Sequence, residues 1–362
     1  MQPPLAHLYF YITQGCNLKC RHCWISPRYM ASGEKAPCLD FGLFQSIIEQ
    51  AKPLGLQAVK LTGGEPLLHP EIERMLDHIR EQSLRLTVET NGVLCTPQIA
   101  AAIARCNGRV SVSLDGAEAP THEWVRGIPG CFEAALQGLV NLVQAGCRPQ
   151  VIMSLMRHNA QEMEALVRLA DEKGAASVKF NLVQPTERGE GLHQSGETLS
   201  VAELIELGKW VETTLSATTS MRLFYDYPEA FHPLGSMFGE RGNGCSRCGI
   251  MHILGVLADG SYALCGIGES VEELIFGHAA RDALAVVWAN SPVLQQIRNG
   301  LPARLEGVCA DCLMKHLCLG TCLAQNYYAG GSFWAPFWFC QQAYDGGLFP
   351  ISRLKPEVAA VR

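Results

Sequence analysis

Cys16, Cys20 and Cys23 lie in the run YITQGCNLKCRHCW with the spacing C-x3-C-x2-C. A short loop of this kind offers three thiolates to one metal centre. A closed tetrahedral zinc site takes four protein ligands, and so does an ordinary cysteine-bound iron–sulfur cluster. A four-iron cluster on three cysteines keeps one iron open, and an open iron can bind a substrate or cofactor. The same residues also fit two plainer readings: a zinc loop completed by a fourth ligand from elsewhere, or thiols that only pack.

Eight further cysteines crowd the second half: Cys245, Cys248, Cys265, Cys309, Cys312, Cys318, Cys322 and Cys340. Eight thiolates are what two four-cysteine clusters require, although C-x2-C pairs also suit zinc. Cys38, Cys95, Cys106, Cys131 and Cys147 are scattered and read as small buried hydrophobes. Sixteen cysteines without an export signal argue for metal rather than disulfides, and so for a cytoplasmic protein. A formal charge of −6 over 362 residues points to neither nucleic acid nor an anionic membrane. No apolar run is long enough to span a bilayer.

From Leu8 to about Tyr227, short β-branched runs alternate with amphipathic stretches. Strands are expected at residues 7–13, 58–62, 85–90, 110–114, 151–155 and 178–182. Asp40 can cap a helix bearing Phe41, Phe44, Ile47, Ile48 and Ala51 at helical spacing, and Ile72, Met75, Leu76 and Ile79 mark the next. Two more are expected near residues 132–144 and 160–173. Six strand–helix units predict a parallel sheet with helices outside and right-handed crossovers, too few for an eight-fold barrel. Periodicity leaves open whether the sheet is flat or curled. Chemically capable residues gather at the strand ends. The cysteine loop follows the first strand and Gly63-Gly64-Glu65-Pro66 the second. Asn91 follows the third, Ser113 and Asp115 end the fourth with Arg126 beyond them, and Asn181 and Leu182 end the sixth. Residues 187–197 read as a polar connection, and Ser200 with Glu203 as a capping box. Residues 220–243 look irregular, which divides the chain into domains 1–227 and 228–362.

The cysteine loop followed by GGEP resembles the radical S-adenosylmethionine (SAM) enzymes. That resemblance implies a partial (β/α)6 TIM-type barrel with its active site at the strand ends. It implies a 4Fe–4S cluster on Cys16, Cys20 and Cys23 whose open iron chelates SAM. Gly63, Gly64, Glu65 and Pro66 would contact the amino group of SAM. Asn91, Ser113, Asp115 and Arg126 would hold its ribose and carboxylate, and Asn181 and Leu182 would flank the adenine. The spacing from Gly260 through Cys340 resembles the SPASM domain, a small cysteine-rich module that follows the barrel in many such enzymes. It implies two auxiliary 4Fe–4S clusters, one on Cys245, Cys248, Cys265 and Cys322, the other on Cys309, Cys312, Cys318 and Cys340. The aromatics Tyr327, Tyr328, Phe333, Trp334, Phe337, Trp338 and Phe339 are expected to shield the second cluster. Gly266 stands where the sulfatase-maturing branch carries an aspartate, which puts that chemistry in doubt.

The resemblance implies reductive cleavage of SAM to a 5′-deoxyadenosyl radical that modifies a ribosomally made precursor peptide. Cys16 leaves no room upstream for a leader-binding domain, so a separate leader-recognition partner is expected, along with a reductant such as flavodoxin or ferredoxin. One alternative is small-molecule oxidative decarboxylation in tetrapyrrole synthesis. Another, from a different class, is a non-catalytic electron-transfer or metal-binding protein. Tyr225, Asp226, Tyr227 and His278 are proton-handling candidates by chemistry alone.

Overall fold

A computed structural model of the chain describes residues 2–31, 33–239 and 249–359. The run HLYFY forms strand β1 (His7–Tyr11), with Leu8 and Phe10 fully buried. Helix α1 (Phe41–Ala51) starts where the Asp40 carboxylate accepts a hydrogen bond from Leu43 N at 2.8 Å. Its buried residues, Phe44, Ile47, Ile48 and Ala51, keep helical spacing, and the Phe44 ring meets Phe10 at 4.7 Å between centroids. Burial of a side chain this size contributes about 2 kcal/mol.

The same unit repeats. β2 (Ala58–Thr62), α2 (Ile72–Glu81), β3 (Arg85–Thr90), α3 (Pro97–Arg105) and β4 (Arg109–Ser113) follow. Then come α4 (Ala119–Arg126), α5 (Cys131–Gln144), β5 (Gln150–Leu155), α6 (Met163–Glu172) and β6 (Ser177–Leu182). Register aligns buried aliphatics across the parallel strands: Val59 with Leu86, Val88 with Val110, Val112 with Val151, and Val151 with Val178. All six expected strands are present. The first ends two residues early because Thr13 leaves the sheet to bridge Cys38.

Two connections carry more structure than their sequence suggests. Residues 187–197 hold α7 (Arg188–Ser195), ahead of α8 (Val201–Thr213), whose Ser200–Glu203 capping box is formed. The stretch 220–243, expected to be irregular, holds β7 (Arg222–Tyr225), parallel to β6, and a short helix Leu234–Phe238. RLFY is too short to show a period, and its pairing is supplied by β6.

Beyond residue 249, β8 (Ile253–Val256) pairs in parallel with β1, while β9 (Ser261–Ala263) and β10 (Ile275–His278) continue antiparallel. The ten strands run β10-β9-β8-β1-β2-β3-β4-β5-β6-β7. Strands from both sides of residue 227 therefore share one sheet. Side chains from β2 through β6 line one common cavity, so the sheet curls, and no ladder joins its two end strands. Phe333, Trp334, Phe337 and Phe339 are buried, whereas Tyr327, Tyr328 and Trp338 are half-exposed. Of the scattered cysteines, Cys95 and Cys131 are buried, but Cys38, Cys106 and Cys147 are only partly so. Among the described residues no helix is long and apolar enough to cross a membrane.

Candidate functional site

The loop bearing Cys16, Cys20 and Cys23 is clamped from three directions. From the β2 end, Gly64 N donates to Thr13 O at 2.9 Å and Glu65 N to Gly15 O at 2.8 Å. A Cβ on Gly64 would lie 1.9 Å from Gly15 O, and Gly63 has φ +129°. These glycines thus let two backbones meet. From α4, the carbonyls of Arg126 and Val125 accept from Lys19 N at 3.0 Å and Arg21 N at 2.9 Å. From α7, Arg188 donates to Cys20 O at 3.3 Å and Pro27 O at 3.0 Å.

The three cysteines face a cavity of about 500 Å³ at the carboxyl ends of the strands. Gly63, Gly64, Glu65, Asn91, Ser113, Arg126, Asn181 and Leu182 share its wall. Pro66 and Asp115 do not. Pro66 opens a 3-10 turn, Pro66–Leu68, and Asp115 lies behind Arg126.

Glu65 ties the strand ends together. Its carboxylate accepts from Leu67 N at 3.1 Å, Thr90 Oγ1 at 2.6 Å and Asn91 N at 2.8 Å. Burial pushes its pKa up to about 7 against those hydrogen bonds. Asn91 donates to Asn17 Oδ1 at 2.8 Å and accepts from Val93 N at 3.0 Å, so it both turns the chain and steadies the cysteine loop. Arg126 Nε meets Asp115 Oδ2 at 2.6 Å, and its Nη1 lies 3.5 Å from Cys20 Sγ. Burial alone would raise the Asp115 carboxyl, but Arg126, His22 and His122 outweigh it and hold the group below its ordinary range. Its ionisation therefore favours the fold above the unfolded carboxylate pKa, and that contribution is lost as pH falls through the lower folded value. Asp115→Asn leaves Arg126 buried without its counter-charge and is expected to cost about 3–5 kcal/mol, measured by denaturant unfolding near neutral pH.

Cys131 tests whether the thiol set is really three. It packs in one cluster with Cys16, Leu18 and Cys20, yet it is not on the cavity wall. Among the described residues no three Cys, His, Asp or Glu side chains converge on a single ion. A four-iron cluster needs no such convergence, because each thiolate binds a different iron. Three thiols at one end of a roomy, partly polar cavity fit that group. Cys131→Ala is accordingly expected to leave iron content and the cluster's electronic spectrum unchanged; loss of iron would make Cys131 a fourth ligand.

In the second half, Cys309, Cys312, Cys318 and Cys340 surround one small cavity. Four thiols around one void fit the second auxiliary cluster. Cys318 and Cys322 also reach the main cavity. Cys265 is half-buried just past β9, while Cys245 and Cys248 lie outside the described residues.

Several wall residues escaped the sequence reading. His22 lines the cavity with a buried Nδ1 that has no partner among the described residues. Lys60, Glu89 and Lys179 project inward from β2, β3 and β6. The available signal was a charge at an alternating position within an apolar strand, as in AVKLT and SVKFNL. Gln325, three residues past Cys322, enters from the second half and donates to Gln184 Oε1. Of the proton-handling candidates, Asp226 and Tyr227 line the wall. Tyr225 instead donates to Leu204 O at 2.7 Å, and His278 ends β10 away from it.

Comparison with known proteins agrees with this geometry. Residues 10–170 match the radical SAM superfamily, and residues 245–313 match SPASM, an iron–sulfur cluster-binding domain. The chain is a radical SAM protein with a SPASM domain. The radical SAM domain binds a 4Fe–4S cluster and SAM, and the SPASM domain binds auxiliary iron–sulfur clusters. Among curated relatives of this radical SAM protein, an AdoMet-dependent heme synthase of Methanosarcina barkeri is 29% identical over 337 residues, covering 89% of this chain and 92% of the relative. The mycofactocin maturase MftC of Mycobacterium ulcerans is 28% identical over 353 residues, covering 95% and 90%. Among solved structures, anSMEcpe with bound AdoMet superposes with a TM-score of 0.71 at 18% identity, over 99% of this chain and 100% of that one. Streptococcus suis SuiB bound to its precursor peptide SuiA gives 0.69 at 17% identity, over 94% and 76%. At these identities the two structures speak for the fold.

Proposed function

We propose that this radical SAM protein cleaves SAM reductively and uses the 5′-deoxyadenosyl radical to modify a ribosomally synthesised peptide, by crosslinking, side-chain oxidation or backbone excision. When bound, the cluster supplies one electron and SAM the hydrogen-abstracting group. The chain's own residues position and shield. Glu65 and Asn91 lock the strand ends under the cysteine loop, and Arg126, oriented by Asp115, presents a cation that suits the SAM carboxylate. Ser113 offers a hydroxyl for ribose, and Asn181 and Leu182, on the same cavity wall, are assigned to the base.

The observation that carries the peptide reading is the charge balance of the cavity wall. Lys60 pairs with Glu89 at 2.8 Å and Lys179 with Asp226 at 3.2 Å, while Arg126, paired with Asp115 at 2.6 Å, is assigned to SAM. Arg188 is committed to two carbonyls of the cysteine loop. Such a wall offers little to a macrocycle bearing several carboxylates, which needs cations in excess. The carboxamides of Gln184 and Gln325 suit peptide backbone groups instead. The naming of MftC as a maturase and the precursor peptide bound to SuiB are consistent with this. A separate leader-binding partner, a low-potential reductant and a reducing cytoplasm complete the proposed system.

Gly266 weighs against a proton-accepting side chain beside Cys265. A Cβ there would lie 2.4 Å from Tyr11 Cε1, so the tyrosine ring already fills the space. The heme synthase relative favours a second reading, oxidative decarboxylation of a carboxylate-bearing porphyrin. Anaerobic incubation with SAM, reductant and the peptide encoded beside the gene, followed by mass spectrometry, separates the two. A mass change in the peptide is expected; loss of carbon dioxide from an iron porphyrin, with the peptide intact, would replace the peptide reading.

A further inference from the structure

We propose that the outer face of the cysteine loop is the docking surface for an acidic, low-potential electron-carrier protein. This inference rests on the reductive-cleavage reading, because that reaction consumes one electron per SAM. In the transfer itself no bond forms or breaks: the carrier is oxidised by one electron and the loop-bound cluster is reduced by one.

Charge is distributed unevenly along the chain. The chain carries a net charge of −6, yet no aspartate or glutamate occurs between Met1 and Gly33. Within that acid-free stretch Lys19, Arg21 and Arg28 are exposed, while Cys16 and Cys20 are buried. Lys19 and Arg21 flank Cys20, so the exposed cations stand one residue, about 3.8 Å along the chain, from a buried cluster-facing thiol. A two-residue ladder pairs Gly15 with Arg28 and Cys16 with Tyr29, which fixes Arg28 to the same loop.

The cations are also held in place. Lys19 Nζ sits 4.1 Å over the Tyr29 ring, and Arg21 Cζ sits 4.4 Å over the Trp124 ring. Arg21 Nε donates to Trp124 O at 2.8 Å, and Trp124 stacks on His158 at 3.9 Å. Glu123, next to Trp124, is engaged by the amides of Gly130 and Phe132. The inner face differs, since each cation that reaches the cavity from a strand or α4 has a carboxylate partner. A basic face on an acidic protein, centred on the redox loop, complements an acidic carrier and raises its encounter rate.

The test compares the iron-loaded full chain with its K19Q/R21Q/R28Q variant. Calorimetric titration with an oxidised, acidic bacterial flavodoxin reads docking directly. At low salt, affinity is expected to fall at least about tenfold in the variant, and its dependence on salt to flatten. Formation of 5′-deoxyadenosine driven by the reduced flavodoxin should fall in parallel, whereas formation driven by dithionite should not change. R21K, which keeps the charge, should retain flavodoxin affinity. Unchanged affinity in the triple variant overturns the proposal. So does equal loss with both reductants, which would make the cations structural. A raised peptide requirement under dithionite would make this face a substrate surface. Failure of the unmodified protein to cleave SAM with dithionite sinks the reductive reading itself, while the titration still reports whether the flavodoxin docks.

Discussion

Alanine at Cys16, Cys20 or Cys23 should abolish 5′-deoxyadenosine release from SAM, a fall of at least about 10³-fold, the scale seen when one member of a catalytic unit is removed. Each thiol faces the same cavity, and with only two thiolates left a four-iron cluster lacks the anchorage that keeps a single iron open. Iron content should drop by about four atoms per chain, with the auxiliary clusters still visible by absorption and electron paramagnetic resonance. The fold should persist, because these thiols contribute little to the sheet: the core residues of β1 are Leu8 and Phe10. A variant that keeps both its full iron complement and SAM cleavage would show that the loop is not the catalytic centre.

Gly64→Ala is expected to damage the site nearly as much without touching a ligand. The added methyl would sit 1.9 Å from Gly15 O and 3.1 Å from Cys16 N, and both neighbours are backbone. A flexible side chain could swing aside, but a backbone clamp cannot, so the cost lies near the upper end of overpacking penalties, about 3 kcal/mol. The displaced loop should fail to retain its cluster, giving low iron and no SAM cleavage alongside a lower denaturant midpoint. Gly191→Ala is the control. It lies within α7 with nothing in reach of a Cβ, and should be neutral or stabilising by up to about 1 kcal/mol. Wild-type iron retention in Gly64→Ala would mean that the clamp is not what holds the loop.

Much of the fold was legible because its signals are local. Val110, Val112, Val151 and Val178 mark strands by residue type, and Asp40 and Ser200 mark helix starts by capping chemistry. Strand β7 was not legible. Arg222–Tyr225 is too short to carry a period, and it becomes a strand only because β6 offers an unpaired edge. The site shows the same division. Residues in strand-end motifs gather at one cavity, but Asp115 stands behind it and acts through Arg126, and Pro66 opens a turn off the wall. His22, Arg188 and Gln325 could not be assigned, since their significance depends on which distant segments fold beside them. Arg188 reaches back 168 residues to Cys20, a relation that no local pattern encodes.

Parallel pairing of β8 with β1 has a practical outcome for the architecture. The strand that delivers the cysteine loop is flanked on one side by β2 and on the other by a strand from the carboxyl-terminal half. Cutting the chain near residue 227 would bare the N–H and C=O groups of His7 and Tyr9 along a fresh edge, an invitation to intermolecular aggregation. Excised halves should accordingly be insoluble on their own. Transplanting one half onto a foreign partner would require matching a whole strand interface, so the two modules are constrained to evolve as a single piece.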